Sequence, residues 1–165
     1  MNWSRLDEPE SPALLEFLIC LFVMGIMTWV AARGMHRTQQ HLYVLEAVSL
    51  ASASKIAMME YRATNGVWPD SNDSLALDAA RTPPGGRIDA ETIQAGGAFD
   101  FQFSSRTNEI AGKTVTFRAW QASGASDLPV VWSCGHARAR PLTAVSEDRT
   151  TLDDRELPSP CRARN

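Results

Sequence analysis

An uninterrupted apolar segment near the start of the chain constrains the fold most strongly. From Ala13 to Ala32 the sequence reads ALLEFLICLFVMGIMTWVAA, in which Glu16 is the one charged residue. A helix needs about 20 apolar residues to cross the hydrocarbon core of a bilayer. The aliphatic and Phe side chains together favour membrane insertion by roughly 3–6 kcal/mol. This gain outweighs the cost of inserting one carboxylate, which is about 2.5–3.5 kcal/mol. The segment predicts a transmembrane helix, and the alternatives are a buried core helix or a cleaved secretory signal.

The helical pattern continues beyond the apolar segment. No proline follows until Pro69, and Asn65-Gly66 is a typical helix end. We therefore predict one helix with a membrane-spanning half, residues 13–32, and an amphipathic half, residues 33–65. The amphipathic half carries a stripe at spacings of three and four that we predict to pack on the rest of the protein. The stripe consists of Leu45, Val48, Ser52, Ile56, Met59 and Ala63.

The remaining residues, 66–165, predict one globular β domain. Residues 67–98 are rich in Pro, Gly, Asp and Asn, which indicates a connecting loop with a short helix near Ser74–Ala80. Three strand candidates follow it, namely Phe99–Phe103, Thr114–Ala122 and Pro129–Cys134. Their short polar connections favour an antiparallel meander. The predicted fold class is α+β, with a long N-terminal α-helix packed on an antiparallel β-sheet of about four strands.

The cysteines indicate a disulfide. Cys20 lies inside the apolar segment, whereas Cys134 and Cys161 lie near the C-terminus. A membrane segment ahead of such a pair favours an oxidising compartment, and therefore a bridge that closes loop 134–161. The alternative is a metal site made by Cys134, His136 and Cys161, but a fourth ligand at suitable spacing is lacking.

The net charge and the absence of known motifs argue against general nucleic-acid binding and against catalysis. The net charge is −3, which gives no general attraction to nucleic acid. The sequence has no nucleotide-binding glycine loop, no nucleophile elbow and no zinc-type histidine pair, so we predict neither an enzyme nor a cofactor. Basic residues near the predicted bridge form a candidate DNA site, although acidic residues in the same loop favour a solvated mixed-charge surface. These basic residues are His136, Arg138, Arg140, Arg162 and Arg164.

Taken together, these residues resemble a type IV pilin, closest to the short-leader major pilins. Glu16 falls where these pilins carry their single membrane glutamate, Gly25 falls on a family glycine, and Glu46 keeps the family spacing from Glu16. Three further stretches resemble the helix end, a sheet strand and the disulfide-bounded loop. They are EAVSLASASKIAMMEYRATNGVWP, NEIAGKTVTFRAW, and VVWSCG together with ELPSPCR. The resemblance covers about residues 12–162.

The resemblance implies a filament subunit. In the family the membrane carboxylate, here Glu16, pairs with the N-terminal amine of a neighbouring subunit, although Glu16 is also placed to be a simple interfacial charge. Gly25 would permit close helix approach. The implied partners are other pilin subunits, the pilus assembly machinery and membrane lipid. The implied location is the inner membrane with the C-terminal domain outside the cytoplasm, then a surface pilus used in adhesion, twitching motility or DNA uptake.

The leader cleavage position departs from this pattern. The family's leader peptide ends in Gly, whereas the register from Glu16 places Ser11-Pro12 at the cleavage position after the polar segment 1–12. Proline lacks a backbone N–H and restricts the residue before it, so we expect poor cleavage and a protein that begins at or near Met1. An uncut leader favours an alternative function, a membrane-retained accessory protein that modulates pilus assembly, with a pilin-like DNA receptor as a third.

Orientation is the second point of conflict. Arg33 and Arg37 follow the apolar segment, whereas only Arg5 precedes it. The positive-inside rule would therefore place the C-terminal domain inside the cell. The predicted disulfide and the pilin resemblance place it outside, and we follow them.

Overall fold

The computed structural model describes residues 12–75, 86–122 and 129–163, without the side chains of residues 12, 36–38, 108 and 109. The chain divides into two compact units, Met1–Thr38 and Gln39–Asn165, and each is described by itself. One helix, α1, extends over Pro12–Asn65. The helix thus ends at the residue that the sequence predicted.

The first unit contains the apolar part of α1. Its described side chains are exposed throughout, including Phe22 at 71% and Met27 at 66%. By length and composition this is the one helix in the described part of the chain that can cross a membrane, and none of its apolar span is buried in the protein. The Thr28 hydroxyl lies within hydrogen-bonding distance of the backbone carbonyls of Met24 and Gly25, 3.0 and 2.9 Å away. Because the apolar span is exposed, the alternative of a buried core helix is excluded. The hydroxyl of Thr28 is satisfied within the helix itself.

The second unit is built on a four-stranded antiparallel meander. Strands β1 (Ile88–Gln94), β2 (Ala98–Phe103), β3 (Thr114–Trp120) and β4 (Val131–Cys134) follow each other in the sheet in chain order. Short 3₁₀ turns lie at Asp73–Leu75, Ser105–Ile110 and Ser159–Cys161. The predicted α+β class and the meander are confirmed. Of the short helix predicted near Ser74–Ala80, residues 76–80 lie outside the described residues.

Strand β1 corrects the prediction that residues 67–98 are a connecting loop. Its sequence, IDAETIQ, has Ile88 and Ile93 five residues apart, and regular alternation would point them to opposite faces. The pairing with β2 shifts register between Ile88 and Ala90, and both isoleucines join the same hydrophobic core. The irregularity removes the alternation that would identify a strand in the sequence.

The core of the second unit combines an aromatic sheet face with small helix residues. The rings of Phe99 and Phe117 stack with centroids 5.0 Å apart, and the Phe101 ring meets both at steep angles. The helix contributes a buried row at spacings of three and four, which we call the inner row. It comprises Val44, Ala47, Ala51, Ser54 and Met58. Three of these five residues are Ala or Ser, whose small side chains occupy little of the space between the helix and the aromatic face.

The inner row corrects the predicted stripe. Leu45, Ile56 and Met59 were predicted to pack on the sheet, yet their side chains are 46%, 60% and 39% exposed. Ser52 and Ala63 are also exposed, and only Val48 is partly buried. The prediction followed the larger apolar residues, whereas the buried face of α1 is a different one that includes the small residues Ala47, Ala51 and Ser54.

Enlarging a residue of the inner row tests this placement. We expect Ala51→Leu to lower the free energy of unfolding by about 1–3 kcal/mol, because Ala51 is fully buried and extra methyl groups must displace packed neighbours. Ser52→Leu adds a similar volume at the exposed neighbouring position and is expected to change stability little. Denaturant unfolding of the full chain in detergent gives both values. Equal effects of the two substitutions would contradict the observed packing.

Candidate functional site

A disulfide joins the last strand to the C-terminal 3₁₀ turn. Cys134 and Cys161 are bonded, with Cα atoms 4.7 Å apart, which confirms the predicted pair. Because both sulfur atoms are in this bond, the alternative metal site is excluded, and the described residues contain no other group able to hold a metal. Gly135 follows directly with φ +57°, and a Cβ there would lie 2.7 Å from the Cys161 carbonyl oxygen. Glycine is therefore required beside the bridge.

The disulfide-bounded loop, residues 135–160, is also attached to β3. Strand β4 pairs with Phe117–Trp120, and the loop covers the rest of the same edge. The backbone N–H of Thr151 donates to the Thr114 carbonyl at 3.0 Å, and that of Thr116 donates to the Thr150 hydroxyl at 3.1 Å. A Lys113–Glu156 salt bridge of 2.5 Å adds a further link. These contacts cover an otherwise open strand edge.

A buried arginine organises the inner side of this loop. Arg118 donates to the carbonyl oxygens of Gly135 and Ala137 at 3.1 and 3.3 Å, and pairs with Asp148 at 3.4 Å. Burial lowers the pKa of Arg118, and the Asp148 carboxylate opposes that change. Arg118 is 7% exposed, and the carboxylate is therefore the partner that makes its burial tolerable.

His136 completes this network. Its Nδ1 lies 2.9 Å from an Asp148 carboxylate oxygen, and its Nε2 lies 3.0 Å from the Leu152 carbonyl oxygen. Both ring nitrogens thus face acceptors, which only the doubly protonated imidazolium satisfies. Burial alone would lower the pKa of His136, but the hydrogen bonds to Asp148 and Leu152 and the nearby carboxylate charges raise it above 6.5.

This arrangement predicts a pH dependence of stability. A folded-state pKa above the unfolded value of 6.5 means that the stabilisation is present below that value and is lost as the pH rises through the folded-state pKa. We expect NMR titration to show a raised His136 pKa, and Asp148→Asn to lower it. Asp153→Asn, an exposed carboxylate in the same loop, is the control. An unchanged His136 pKa in Asp148→Asn would contradict the pairing.

The candidate DNA-binding residues are not all free. His136 is engaged by Asp148, and Arg162 Nε donates to the Leu157 carbonyl at 2.7 Å. Arg138 and Arg140 are exposed. Arg164 lies outside the described residues. Of the four described basic residues, two therefore hold the loop together and two face solvent.

The candidate assembly residues lie on the exposed part of α1 in the first unit. Glu16 is exposed, and within the described part of the chain it forms no hydrogen bond or ion pair. Gly25 has open space around its Cα, because no atom would lie within 4 Å of an added Cβ. Both positions are thus accessible to a second molecule.

A second exposed apolar surface lies on α1 in the second unit. It recurs at spacings of three and four on the face away from the inner row, and we call it the outer helix strip. It consists of Leu42, Leu45, Ser49, Ser52, Ile56, Met59 and Ala63. Leu42 is 56% exposed and Ile56 60%. Several large exposed apolar residues on one helix face are typical of an interaction surface.

These elements define a pilin-like α+β protein. They are a long helix that can cross a membrane, an antiparallel meander and a disulfide-bounded loop. A family model described as pilin (bacterial filament) matches residues 43–162, and the chain belongs to this family. The resemblance noted in the sequence is thus confirmed.

Curated relatives agree with this assignment. The chain is 29% identical to the type IV major pilin protein PilE of Neisseria gonorrhoeae, over 90% of this chain and 91% of that protein. It is 30% identical to a type IV major pilin protein PilE1 of the same species, over 90% and 72% of the two chains. It is 25% identical to the fimbrial protein EcpC of Eikenella corrodens, over 90% and 88%.

Proposed function

We propose that this chain is a structural subunit of a type IV pilus and polymerises through its hydrophobic N-terminal helix. The observation that carries the proposal is the outer helix strip, which leaves large apolar side chains uncovered on a helix whose other face is fully packed. A second copy of the chain is the partner that the family membership supports. Burial of such side chains favours association by about 25 cal/mol per Å² of apolar area.

Residues 13–32 serve as the membrane anchor before assembly in this proposal. Their helix is apolar and uncovered, so lipid solvates it in the free subunit. Glu16 then pairs with the N-terminal amine that cleavage before Pro12 would create on a neighbouring subunit, and Gly25 allows a second helix to approach. The C-terminal domain lies outside the cytoplasm, where the Cys134–Cys161 bridge is stable. The pilus assembly machinery is the further partner.

A charge placed in the outer helix strip tests the proposal. We expect Ile56→Asp to reduce the yield of surface filaments roughly tenfold or more, because an unpaired carboxylate would be buried between subunits. The unfolding midpoint of the free protein should stay close to that of the wild type, since Ile56 is exposed. Electron microscopy and immunoblotting of sheared filaments give the yield.

Val145→Asp is the matched control. Val145 is also a β-branched apolar residue, it is 84% exposed, and it belongs to the disulfide-bounded loop rather than to the outer helix strip. The substitution therefore introduces the same carboxylate in place of a similar side chain on another surface. We expect this variant to assemble at near-normal yield. Equal yields for Ile56→Asp and wild type would contradict a filament contact on the outer helix strip.

A membrane-retained accessory protein is the second candidate, favoured by Ser11-Pro12 at the cleavage position. In that role the polar leader stays attached and the chain modulates assembly without entering the fibre. N-terminal sequencing of protein extracted from the envelope separates the two, because a start near Met1 favours the accessory role and a start at Pro12 favours the subunit. A pilin-like DNA receptor would use Arg138 and Arg140. Adhesion, twitching motility and DNA uptake are the activities that a filament could serve.

A further inference from the structure

The second unit contains a cavity that filament formation does not explain. Its volume is about 360 Å³, and it lies beside α1, the end of the sheet and the disulfide-bounded loop. Small-molecule sites are typically cavities of roughly 300–1,000 Å³ with mainly apolar walls and a few polar groups. The walls include Val48 and Lys55 of the helix, Phe117 and Trp132 of the sheet, and Arg138 of the loop.

Lys55 gives the cavity a positive charge that lies against aromatic rings rather than against a carboxylate. Its ammonium group lies 5.3 Å from the ring centroid of Phe117 and 5.9 Å from that of Trp132. Within residues 12–75, 86–122 and 129–163 no carboxylate pairs with it. Burial lowers the pKa of Lys55, as expected for a cation held against aromatic rings without an anion. An anion entering the cavity would relieve this cost.

Arg138 places a second cation on the same cavity. Its side chain is exposed, and among the described residues it too lacks an acidic partner. Two other basic groups near the disulfide already have partners. His136 pairs with Asp148, and Arg162 donates to the Leu157 carbonyl. Arg138 thus adds an exposed positive charge at the wall of the cavity.

We propose that this cavity binds a small organic carboxylate with a planar apolar body. Lys55 and Arg138 both line the cavity, and each can form a charge-assisted hydrogen bond with a carboxylate there. The planar body contacts Trp132 and Val48. A compact inorganic anion would leave the apolar side chains of the cavity exposed to water. A neutral aromatic molecule would cover them but would leave Lys55 without an anionic partner. Binding at this site does not depend on the proposed filament role.

Fluorine NMR with 4-fluorobenzoate tests the proposal on the full chain in non-ionic detergent micelles. We expect saturable broadening of the ligand signal beyond that in protein-free micelles. Lys55→Met keeps the aliphatic stem and removes the charge, and it should weaken binding about tenfold. Arg138→Gln should weaken it about threefold, as expected for a more exposed cation. Arg155→Gln, at another exposed arginine of the same loop, should leave binding unchanged.

Two further probes separate the ligand classes. Neutral 4-fluorobenzamide and inorganic phosphate should each bind at least about tenfold more weakly than 4-fluorobenzoate, because each lacks one of the two required features. Equal affinity of Arg138→Gln and Arg155→Gln, or equal binding of the benzamide or of phosphate, would overturn the proposal. Because Arg138 is exposed, its variant remains informative even if Lys55→Met does not fold.

Discussion

Replacing both Cys134 and Cys161 with Ala is expected to lower the free energy of unfolding by about 3.5 kcal/mol. The two residues are 27 positions apart. Without the bridge the unfolded chain gains the conformational entropy of a loop of this length, and the expected value follows from that entropy. Residues 135–160 should become sensitive to proteases, because only noncovalent contacts, such as Lys113–Glu156 and His136–Asp148, then hold the loop. Denaturant unfolding and limited proteolysis measure the two effects.

Cys20→Ala is the matched control for this substitution. Cys20 is an exposed free cysteine on α1, so its removal should change neither stability nor the cleavage pattern. An unfolding midpoint of the double variant equal to that of the wild type would contradict the account. Free thiols at both positions in protein taken from the cell envelope would contradict it equally.

Glu16→Ala is expected to leave the protein in the membrane and to reduce its incorporation into filaments roughly tenfold or more. In the proposed assembly the carboxylate neutralises a neighbouring subunit's amine within a low-dielectric helix core, so its removal leaves a buried charge without a partner. The apolar segment becomes more hydrophobic, and membrane insertion is therefore retained. Immunoblots of membrane and sheared-filament fractions measure the ratio.

Glu147→Gln is the control for Glu16→Ala. Glu147 is an exposed carboxylate of the disulfide-bounded loop, and its removal should leave incorporation unchanged. Normal incorporation of Glu16→Ala would show that Glu16 is only an interfacial charge. Loss of Glu16→Ala from the membrane fraction would also count against the proposal, because it would indicate failed insertion rather than failed pairing.

The sequence specified those parts of the fold that depend on local chemistry. The end of α1 was predictable because Asn65-Gly66 is a strong helix end and no proline precedes it within the helix after Pro12, the first helical residue. Strands β2 and β3 were recognised by their alternating or β-branched residues. The disulfide was predictable because Cys20 was already assigned to the apolar segment.

Features that depend on the tertiary fold were not predictable. The packed face of α1 includes Ala47 and Ala51, whose small side chains contribute little to a hydrophobic pattern but join the same core as the stacked phenylalanines. The large apolar residues that dominate the pattern form the outer helix strip instead. A helix that serves two interfaces carries two apolar faces, and hydrophobicity alone does not tell which one meets the sheet.

The polar groups around the disulfide-bounded loop show the same limit. Arg118 lies between the apolar residues Phe117 and Ala119 of β3, which is a sequence signal of a buried charge that needs a partner. Its partner, Asp148, is 30 residues away and reaches it only because the loop folds back over the sheet. Lys55 likewise looks like an ordinary exposed helix residue until Phe117 and Trp132 are placed beside it.

Mass spectrometry of filaments sheared from the cell surface tests the central claim most directly. If the chain is a structural pilus subunit, peptides covering its C-terminal domain dominate the filament fraction, and Cys134 and Cys161 are recovered as one disulfide-linked pair. The account is contradicted if filaments are present but consist of another protein, with this chain found only in the membrane fraction.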